Sequence, residues 1–272
     1  MSGWKYSLHF LCVVLCIAGC VKSPAGQWQK LPSDSASTAW RRAYSTDWQT
    51  GVDPQIGIQR ARSGDVSVVD APALPGRKAV RVTIDRNEDF TRVANGSPRA
   101  EMLFPDALKF TLGREYLVQW STYLPVGFEF DPDQELVITQ IHQGSLSGPP
   151  PVALTLHGGD YVFLVRGGEH AKVRGSRICC AVGDTGKWVH WVLRYIPDAS
   201  GKDAVTQLWR NGTLVSSAVG EANAYPDDKP AYLKMGLYKY RWRLDPSNVD
   251  TMVILYGPVS VDERGVYQSE IH

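Results

Sequence analysis

The segment Leu136-Val137-Ile138-Thr139-Gln140-Ile141-His142 is rich in β-branched residues and contains two polar side chains two positions apart. Such a segment is typical of a β-strand, in which residues two apart point to the same side of the sheet. The alternation divides its side chains between two faces: Ile138, Gln140 and His142 on one, and Val137, Thr139 and Ile141 on the other. A strand of this kind separates an apolar core from an accessible surface that carries polar groups.

Similar short β-branched or aromatic runs, bounded by Gly, Pro, Asn or Asp, recur along the chain, and helical periodicity is rare. We predict strands at residues 66–69, 79–85, 99–104, 115–124, 136–142, 152–157, 161–166, 188–196, 205–210, 213–217, 232–240 and 252–256. Asn211-Gly212 lies between two of them and predicts a type I′ hairpin. The pattern predicts an all-β protein, a concanavalin-like jelly-roll sandwich of two antiparallel sheets.

The composition limits the classes of partner. The 272 residues include 29 Lys and Arg against 28 Asp and Glu, a net charge of +1. This balance excludes a globally basic nucleic-acid-binding protein, so we expect no nucleic-acid partner, and an anionic partner must bind a local patch. With 43% hydrophobic residues the chain can bury a core. We expect one domain over residues 40–272, present as a monomer.

The N-terminus carries a predicted export signal. Lys5 precedes an apolar stretch at residues 8–18 that is too short to cross a bilayer as a mature helix. The stretch ends in Ile17-Ala18-Gly19-Cys20, which resembles a bacterial lipobox. We therefore predict a signal peptide at residues 1–19, lipid on Cys20 and a flexible tether at residues 20–39. Val21 after the cysteine favours the outer membrane, facing the periplasm or the cell surface; an ordinary signal peptide is the alternative.

After removal of the signal, the cysteines beyond Cys20 are the adjacent pair Cys179 and Cys180. Adjacent cysteines can be two unlinked thiols or a vicinal disulfide, and the sequence leaves both open. The sequence has no CxxC or His-x3-His pattern, so we expect no structural zinc site.

Two further predicted strands have a polar face. In the first, Arg99 and Glu101 share a face opposite Ala100 and Met102. In the second, the residues on the polar face are Tyr232, Lys234, Gly236, Tyr238 and Tyr240, opposite Leu233, Met235 and Leu237. If these strands are neighbours of the 136–142 strand, their polar side chains collect on one surface. Gly236 between aromatic residues predicts room for a ligand against the sheet.

These side chains suit β-elimination of a uronic-acid polysaccharide. A base removes the C5 proton, cationic or amide groups neutralise the adjacent carboxylate, and an acid protonates the leaving oxygen at C4. Arg99 and Gln140 suit neutralisation, His142 or Tyr238 suits the base, and Tyr238 suits the acid. Lys234 could act on Tyr238 by its charge or bind a neighbouring carboxylate.

Three segments carry a family resemblance: Ser97-Pro98-Arg99-Ala100-Glu101, Gln140-Ile141-His142 and Tyr232-Leu233-Lys234-Met235-Gly236-Leu237-Tyr238. They resemble the signature strands of jelly-roll polysaccharide lyases, which in alginate lyases read R-[ST]-E-L, Q-[IV]-H and Y-F-K-A-G-x-Y. Heparin lyase I-like and glucuronan lyases have similar elements, and residues 186–191 and 208–212 look more like the heparin lyase I-like group. Ala100, Met102 and Leu233 depart from these patterns, on the face opposite the polar groups.

The resemblance implies a role for each matching residue. Arg99 and Gln140 would neutralise the uronate carboxylate. His142 would be the base for one C5 epimer or a partner of the base. Tyr238 would be the acid, and also the base when proton and leaving group lie on the same side, while Lys234 and Glu101 would be supporting, substrate-binding residues with Tyr232. The resemblance names no single substrate, since relatives act on glucuronan, alginate or heparin-like chains.

Two basic segments could border a binding cleft. Lys239, Arg241 and Arg243 alternate with Tyr240 and Trp242, a pattern that suits carboxylate binding and stacking on sugar rings, or else a solvated loop with buried aromatics. From this segment we assign Tyr240 and Arg241 to substrate binding. Arg166 precedes Gly167-Gly168, and further cations follow at Lys172, Arg174 and Arg177. The segment resembles a mobile basic loop that covers the substrate, but surface solubility is the interpretation we favour for these cations; we assign Arg166 to the substrate.

Two other functions stay open. Residues 129–135, Glu-Phe-Asp-Pro-Asp-Gln-Glu, resemble the E-x-D-x-x-E strand of jelly-roll glycoside hydrolases, but the last Glu is one position too far and Pro132 interrupts a central strand. We interpret the segment as an acidic loop. A non-catalytic carbohydrate-binding lipoprotein is the second alternative. We expect no cofactor; Asp131 or Asp133 could contribute to a Ca²⁺ site, although the sequence has no complete Ca²⁺ loop.

Overall fold

The computed structural model describes residues 39–104, 108–146 and 148–266. The predicted signal peptide, Cys20 and all but the last residue of the predicted tether lie outside these ranges. The described residues form strands β1 to β17, in order Arg41–Thr46, Gly57–Gln59, Val66–Asp70, Lys78–Asp85, Arg99–Leu103, Lys109–Phe110, Arg114–Tyr123, Leu136–His142, Val152–His157, Asp160–Gly167, Lys172–Ile178, Trp188–Ile196, Val205–Arg210, Thr213–Val219, Ala231–Tyr238, Thr251–Tyr256 and Val259–Gly265. Three 3-10 helices cover Ser63–Asp65, Ala94–Gly96 and Ala181–Asp184. Within the described ranges, no helix has the length and apolar character needed to cross a membrane.

The strands form two antiparallel sheets. The nine-stranded sheet has the order β14-β13-β12-β7-β16-β4-β3, with β17 pairing both β7 and β1. The eight-stranded sheet has the order β11-β10-β9-β8-β15-β5-β2, with β6 pairing β15. The predicted all-β jelly-roll sandwich is confirmed.

The core is made by the apolar side chains of both sheets. Trp120 and Trp191 of the nine-stranded sheet stack with ring centroids 6.3 Å apart. Leu233, Met235 and Leu237 of β15 are fully buried in the same cluster. Each such side chain contributes roughly 1.5–3 kcal/mol on burial. The departures from the family pattern at Ala100, Met102 and Leu233 all lie in this core, as the alternation predicts.

The twelve predicted strands correspond to β3, β4, β5, β7, β8, β9, β10, β12, β13, β14, β15 and β16. Asn211 and Gly212 have positive φ values of 49° and 81° and connect β13 to β14, as a type I′ turn requires. The strand predicted to end at Tyr240 ends at Tyr238. The prediction missed β1, β2, β6, β11 and β17, which are short or rich in charged residues.

The interpretation of the segment after Gly168 as a mobile basic loop is wrong. Lys172–Ile178 is strand β11, which pairs with β10 at the edge of its sheet. Arg174 forms an ion pair with Glu221 at 2.8 Å, and Arg177 forms one with Asp160 at 2.5 Å. These cations compensate neighbouring carboxylates. Nearby, Cys179 and Cys180 are joined as a vicinal disulfide.

A β-bulge changes the predicted faces of β8. The register of β8 against β9 shifts between Val137 and Thr139, where one extra residue is accommodated. As a result Ile138 lies in the core, and Val137 faces the same side as Gln140 and His142. The predicted faces of Val137 and Ile138 are therefore wrong, because an extra residue inverts the alternation on one side of a bulge.

Gly236 is required by a neighbouring strand. Its φ is 151°, and a Cβ at this position would lie 2.2 Å from the carbonyl oxygen of Ala100 and 2.6 Å from Cα of Glu101. Both atoms belong to the β5 backbone, so the strand pair itself excludes a side chain. The glycine is therefore explained by the packing of β15 against β5, and the prediction that it makes room for a ligand is wrong.

Candidate active site

Strands β8, β15 and β5 are neighbours in the eight-stranded sheet, which is the condition under which their polar side chains share one surface. Tyr238 of β15 lies opposite Arg99 of β5 on one side and Val137 of β8 on the other. Further along β15, Lys234 lies opposite Gln140, and Tyr232 lies opposite His142. The register therefore brings the predicted site residues of all three strands to one face.

This face forms the floor of a cleft of about 640 Å³. The cleft contains Arg99, Gln140, His142 and Tyr238 together. Its other lining residues are Asn95, Glu135, Val137, Ser145, Leu146, Gly148, Pro149, Pro150, Ala153, Thr155, Leu164, Arg166 and Tyr240. The geometry thus gathers the four predicted catalytic side chains in one concave site.

Glu101 organises the floor from below. Its carboxylate accepts hydrogen bonds from Nε2 of Gln140 at 2.6 Å and from Nη1 of Arg99 at 3.2 Å. It also forms an ion pair with Nζ of Lys234 at 2.7 Å. Lys234 donates a second hydrogen bond to Oε1 of Gln59, 3.1 Å away on β2. Two cations and one anion therefore lie together under the cleft, and when all three are ionised the group carries one net positive charge.

Lys234 and Glu101 are covered by protein. Their side chains are 1% and 3% exposed. Burial, the largest cause, lowers the pKa of Lys234, and the charge of Glu101 opposes this shift. This placement favours a positioning role through Arg99 and Gln140 over the predicted direct contact with substrate.

The surroundings of His142 define its tautomer. Nδ1 lies 2.8 Å from the carbonyl oxygen of Gln143, which can only accept, so Nδ1 donates. Burial lowers the pKa of His142, and this effect outweighs the opposing hydrogen bond to Gln143. A neutral imidazole with the proton on Nδ1 carries a lone pair on Nε2, as a general base requires. The ring of Tyr232 packs beside it, with centroids 5.2 Å apart.

Tyr238 contacts a cation and lies near a second aromatic ring. The guanidinium carbon of Arg99 lies 3.8 Å from the centre of the Tyr238 ring. The centroid of the Tyr240 ring lies 5.7 Å from that of Tyr238, and Tyr240 is 39% exposed. The phenol group is therefore placed next to the guanidinium that is predicted to bind the carboxylate.

The remaining predicted contacts fall in different places. Arg166 lines the cleft and donates from Nη1 to the carbonyl oxygen of Pro150 at 3.1 Å. Arg241 is outside the cleft lining and forms an ion pair with Asp245. The prediction that Lys239 lies on the rim of the cleft is wrong, because the side chain is fully buried and its Nζ lies 2.7 Å from Asp131. This pair attaches the segment after Tyr238 to the loop before β8.

The acidic segment 129–135 is a loop, as interpreted from the sequence. Asp131 is buried with Lys239 and Ser247, and it accepts hydrogen bonds from the backbone N–H groups of Asp133 and Gln134. Burial raises its pKa, but these hydrogen bonds outweigh that effect and the pKa is lowered. Because its oxygens already have partners, Asp131 does not fit a Ca²⁺ ligand in this arrangement.

The sequence did not identify Glu135 or the wall of the cleft at Ser145, Leu146 and Pro150. That wall follows His142 directly, and the carboxylate of Asp228 accepts the backbone N–H groups of Gly144, Ser145 and Leu146 at 2.7 to 3.1 Å. Asp228 lies 82 residues or more away in the sequence, so no local pattern could have revealed the contact.

Comparisons with known proteins identify the family of the chain. A sequence-family model described as "Polysaccharide lyase" matches residues 36–271. The chain belongs to the polysaccharide lyase family, and it is a polysaccharide lyase. A sequence search of curated proteins finds no significant match.

Solved structures with a similar fold include enzymes and a binding domain. The endo-β-1,4-glucuronan lyase from the fungus Trichoderma reesei matches with TM-score 0.69 and 16% identity, over 85% of this chain and 98% of that one. Alginate lyase A1-II', of polysaccharide lyase family 7, matches with TM-score 0.54 and 16% identity, over 75% and 86%. The binding domain of Paraclostridial Mosquitocidal Protein 1 matches with TM-score 0.50 and 13% identity, over 82% and 47%. At these identities the likeness describes the fold alone.

Proposed function

We propose that this lyase cleaves a uronic-acid polysaccharide by β-elimination in the cleft above β5, β15 and β8. The observation that carries the proposal is the charge set on the floor, where Arg99 and Lys234 face the single carboxylate of Glu101. A buried site with one positive charge in excess favours an anionic ligand. A uronate carboxylate held by Arg99 and Gln140 would supply that charge at the atom next to C5.

The reaction needs no water and no redox partner. Nε2 of His142 takes the C5 proton, and the electron pair of the C5–H bond forms the C4–C5 double bond. The bond between C4 and the glycosidic oxygen breaks, and Tyr238 donates its phenolic proton to the leaving oxygen. The neutral tautomer of His142 and the position of Tyr238 beside Arg99 support these roles. The products are a new sugar end and an unsaturated uronate.

Glu101, Lys234 and Gln59 take no direct part in this scheme. Glu101 fixes the amide of Gln140 and the guanidinium of Arg99, while Lys234 and Gln59 hold Glu101. Pre-positioned donors stabilise the charge that develops on the carboxylate as the C5 proton leaves, because they need not reorganise during the step. Tyr240 and Arg166 would contact the sugars on either side.

Ultraviolet absorbance tests this function, since the unsaturated uronate is conjugated. The purified protein is incubated with glucuronan, polymannuronate, polyguluronate, heparin, heparan sulfate and hyaluronan, each with and without a chelator. We expect absorbance to rise on at least one polymer, and to rise equally with chelator, because we propose that the reaction uses no metal ion. Reducing ends without absorbance would indicate hydrolysis; binding without either product on every polymer would indicate a carbohydrate-binding protein.

We also propose that the protein is a monomer attached to the outer membrane through lipid on Cys20. The lipobox-like sequence Ile17-Ala18-Gly19-Cys20 supports the attachment. In a Gram-negative host, Cys20→Ser should move the protein from the membrane fraction to the soluble fraction. Equal partition of the two forms would contradict the anchor, and light scattering of the released domain tests the monomer.

A further inference from the structure

One carboxylate lines a cleft that otherwise suits an anion. Glu135, just before β8, is half-buried, and one of its oxygens accepts a hydrogen bond from Oγ1 of Thr155 at 2.9 Å. No ion pair holds Glu135 among the residues that the structure describes. Its carboxylate thus adds negative charge to the wall of the cleft.

Glu135 and Tyr240 line the same cleft as Arg99 and Tyr238. Tyr238 pairs with Val137 in antiparallel strands, so the same register extended by two residues places Tyr240 beside Glu135. Burial raises the pKa of Tyr240 and the charge of Glu135 raises it further, whereas the charges of Arg241 and Arg166 lower it. Glu135 precedes Val137 by two residues, about 7 Å along an extended chain, and Val137 is the residue opposite Tyr238. The Glu135 and Tyr240 pair is therefore one step beyond the acid and base along the cleft.

The chemistry of this pair differs from that of the floor. A carboxylate only accepts hydrogen bonds, so it binds hydroxyl or amide N–H groups and repels another carboxylate. An exposed tyrosine ring beside it offers a flat apolar surface with a polar edge, which suits the ring of a sugar. Glu135 and Tyr240 together fit a sugar without a carboxylate.

We infer that the cleft binds a uronate at Arg99 and Gln140 and a neutral sugar or hexosamine at Glu135 and Tyr240. This inference rests on the proposed function and extends it to the substrate class. The preferred polymer would then alternate uronate with a sugar that carries neither carboxylate nor sulfate. A homopolymeric uronate would place a carboxylate against Glu135 and be cleaved more slowly.

The test compares one polymer with and without neighbouring carboxylates. Glucuronan, or the polyuronate most active in the absorbance assay, is used in its native form and after chemical reduction of part of its carboxyl groups to alcohols. For the wild type we expect kcat/KM per remaining uronate to be higher on the reduced polymer. In Glu135→Gln this preference should fall by about fivefold, the effect of one like-charge contact near 4 Å in water.

Glu129→Gln is the matched control, because Glu129 is exposed and outside the cleft lining. It makes the same change of charge on the same loop and should keep the wild-type preference. The glutamine at 135 retains an acceptor for Thr155, and thermal unfolding checks that the variant is folded. If Glu135→Gln keeps the wild-type preference for the reduced polymer, the inference is overturned. Ultraviolet absorbance on either polymer would in that case still support the proposed lyase reaction. Absence of unsaturated product from every polymer would overturn the proposed function and the inference together.

Discussion

At the scale of single residues, the site depends on charges that the protein only partly balances. Among the residues that the structure describes, Glu101 is the one carboxylate in direct contact with Arg99, Gln140 and Lys234. Because all four are almost fully buried, water cannot screen an excess charge there. In the proposed function, a substrate carboxylate would balance this charge, and its binding energy would act at the atom where charge develops during proton removal.

The pH dependence tests His142 as the base. Burial lowers its pKa from the usual value near 6.5, and a general base acts in its unprotonated form. We therefore expect the acidic limb of kcat/KM to have its midpoint below pH 6.5, with activity lost as the pH falls through the pKa of the folded protein. His142→Ala should lower kcat by about 100-fold or more. A midpoint above pH 6.5 would contradict the assignment.

A double-mutant cycle tests the buried charge set. Glu101→Gln raises the net charge of the set to +2 and Lys234→Met lowers it to zero, whereas the double variant restores +1. Each single change removes one partner of a buried pair and should cost about 3–5 kcal/mol in the free energy of unfolding. The double variant should regain a large part of that loss in urea unfolding. Strictly additive losses would mean that the two side chains are not coupled.

At the scale of elements, small irregularities of the strands aim the side chains. The bulge in β8 turns Val137 toward the cleft and Ile138 into the core, while Gln140 and His142 keep their predicted side. The hydroxyl group of Tyr256 lies between the strands at this point, where it donates to the carbonyl oxygen of Ile138 or Gly236 and accepts from the N–H of Gly236 at 3.1 Å. This buried phenol satisfies backbone groups that the bulge leaves without ladder partners.

Gly236→Ala tests the close approach of β15 and β5. The added Cβ would meet the β5 backbone at 2.2 Å, so a strand must shift, and we expect a loss of about 2 kcal/mol or more in unfolding free energy. The shift also moves Glu101, so kcat should fall. Gly113→Ala is the control, because Gly113 has a φ of 73° and open space around it. It should cost about 1 kcal/mol with full activity. Equal losses in the two variants would contradict the steric account.

The sequence predicted the elements better than their irregularities. Alternation in 99–104, 136–142 and 232–240 placed Arg99, Gln140, His142 and Tyr238 on one surface, because period-two patterning is a local property. A bulge leaves no comparable pattern, so the face of Ile138 was predicted wrongly. β11 was missed because its alternating cations at Lys172 and Arg174 look like a solvated loop, whereas their partner Glu221 comes from a distant segment.

The burial of individual charged side chains could not be predicted from the local sequence pattern either. Lys234 is polar and lies on the polar face, which suggested contact with substrate. Its Nζ donates a hydrogen bond to Gln59 on β2, a strand of three residues that the sequence did not predict. Similarly, Lys239 is adjacent to Tyr238 but pairs with Asp131, more than 100 residues earlier. Pairings at such separations are decided by the fold of the whole sheet.

At the scale of the whole molecule, the two sheets have different roles. The nine-stranded sheet closes the core with Trp120 and Trp191, and the eight-stranded sheet carries the cleft on its other face. The same sandwich also occurs in the binding domain of a mosquitocidal protein, so the fold is compatible with binding alone. The assignment of a reaction therefore depends on the groups in the cleft.

The central claim is elimination by His142 and Tyr238, and cleavage in ¹⁸O-labelled water tests it most directly. The protein is incubated in this water with the polymer that gives ultraviolet absorbance, and the products are analysed by mass spectrometry. We predict unsaturated fragments with no label introduced by the bond cleavage, and loss of these fragments in Tyr238→Phe and His142→Ala but not in Tyr44→Phe, which lies outside the cleft lining. Saturated fragments, which have the mass of one added water per cleavage, or full activity in Tyr238→Phe, would contradict the account.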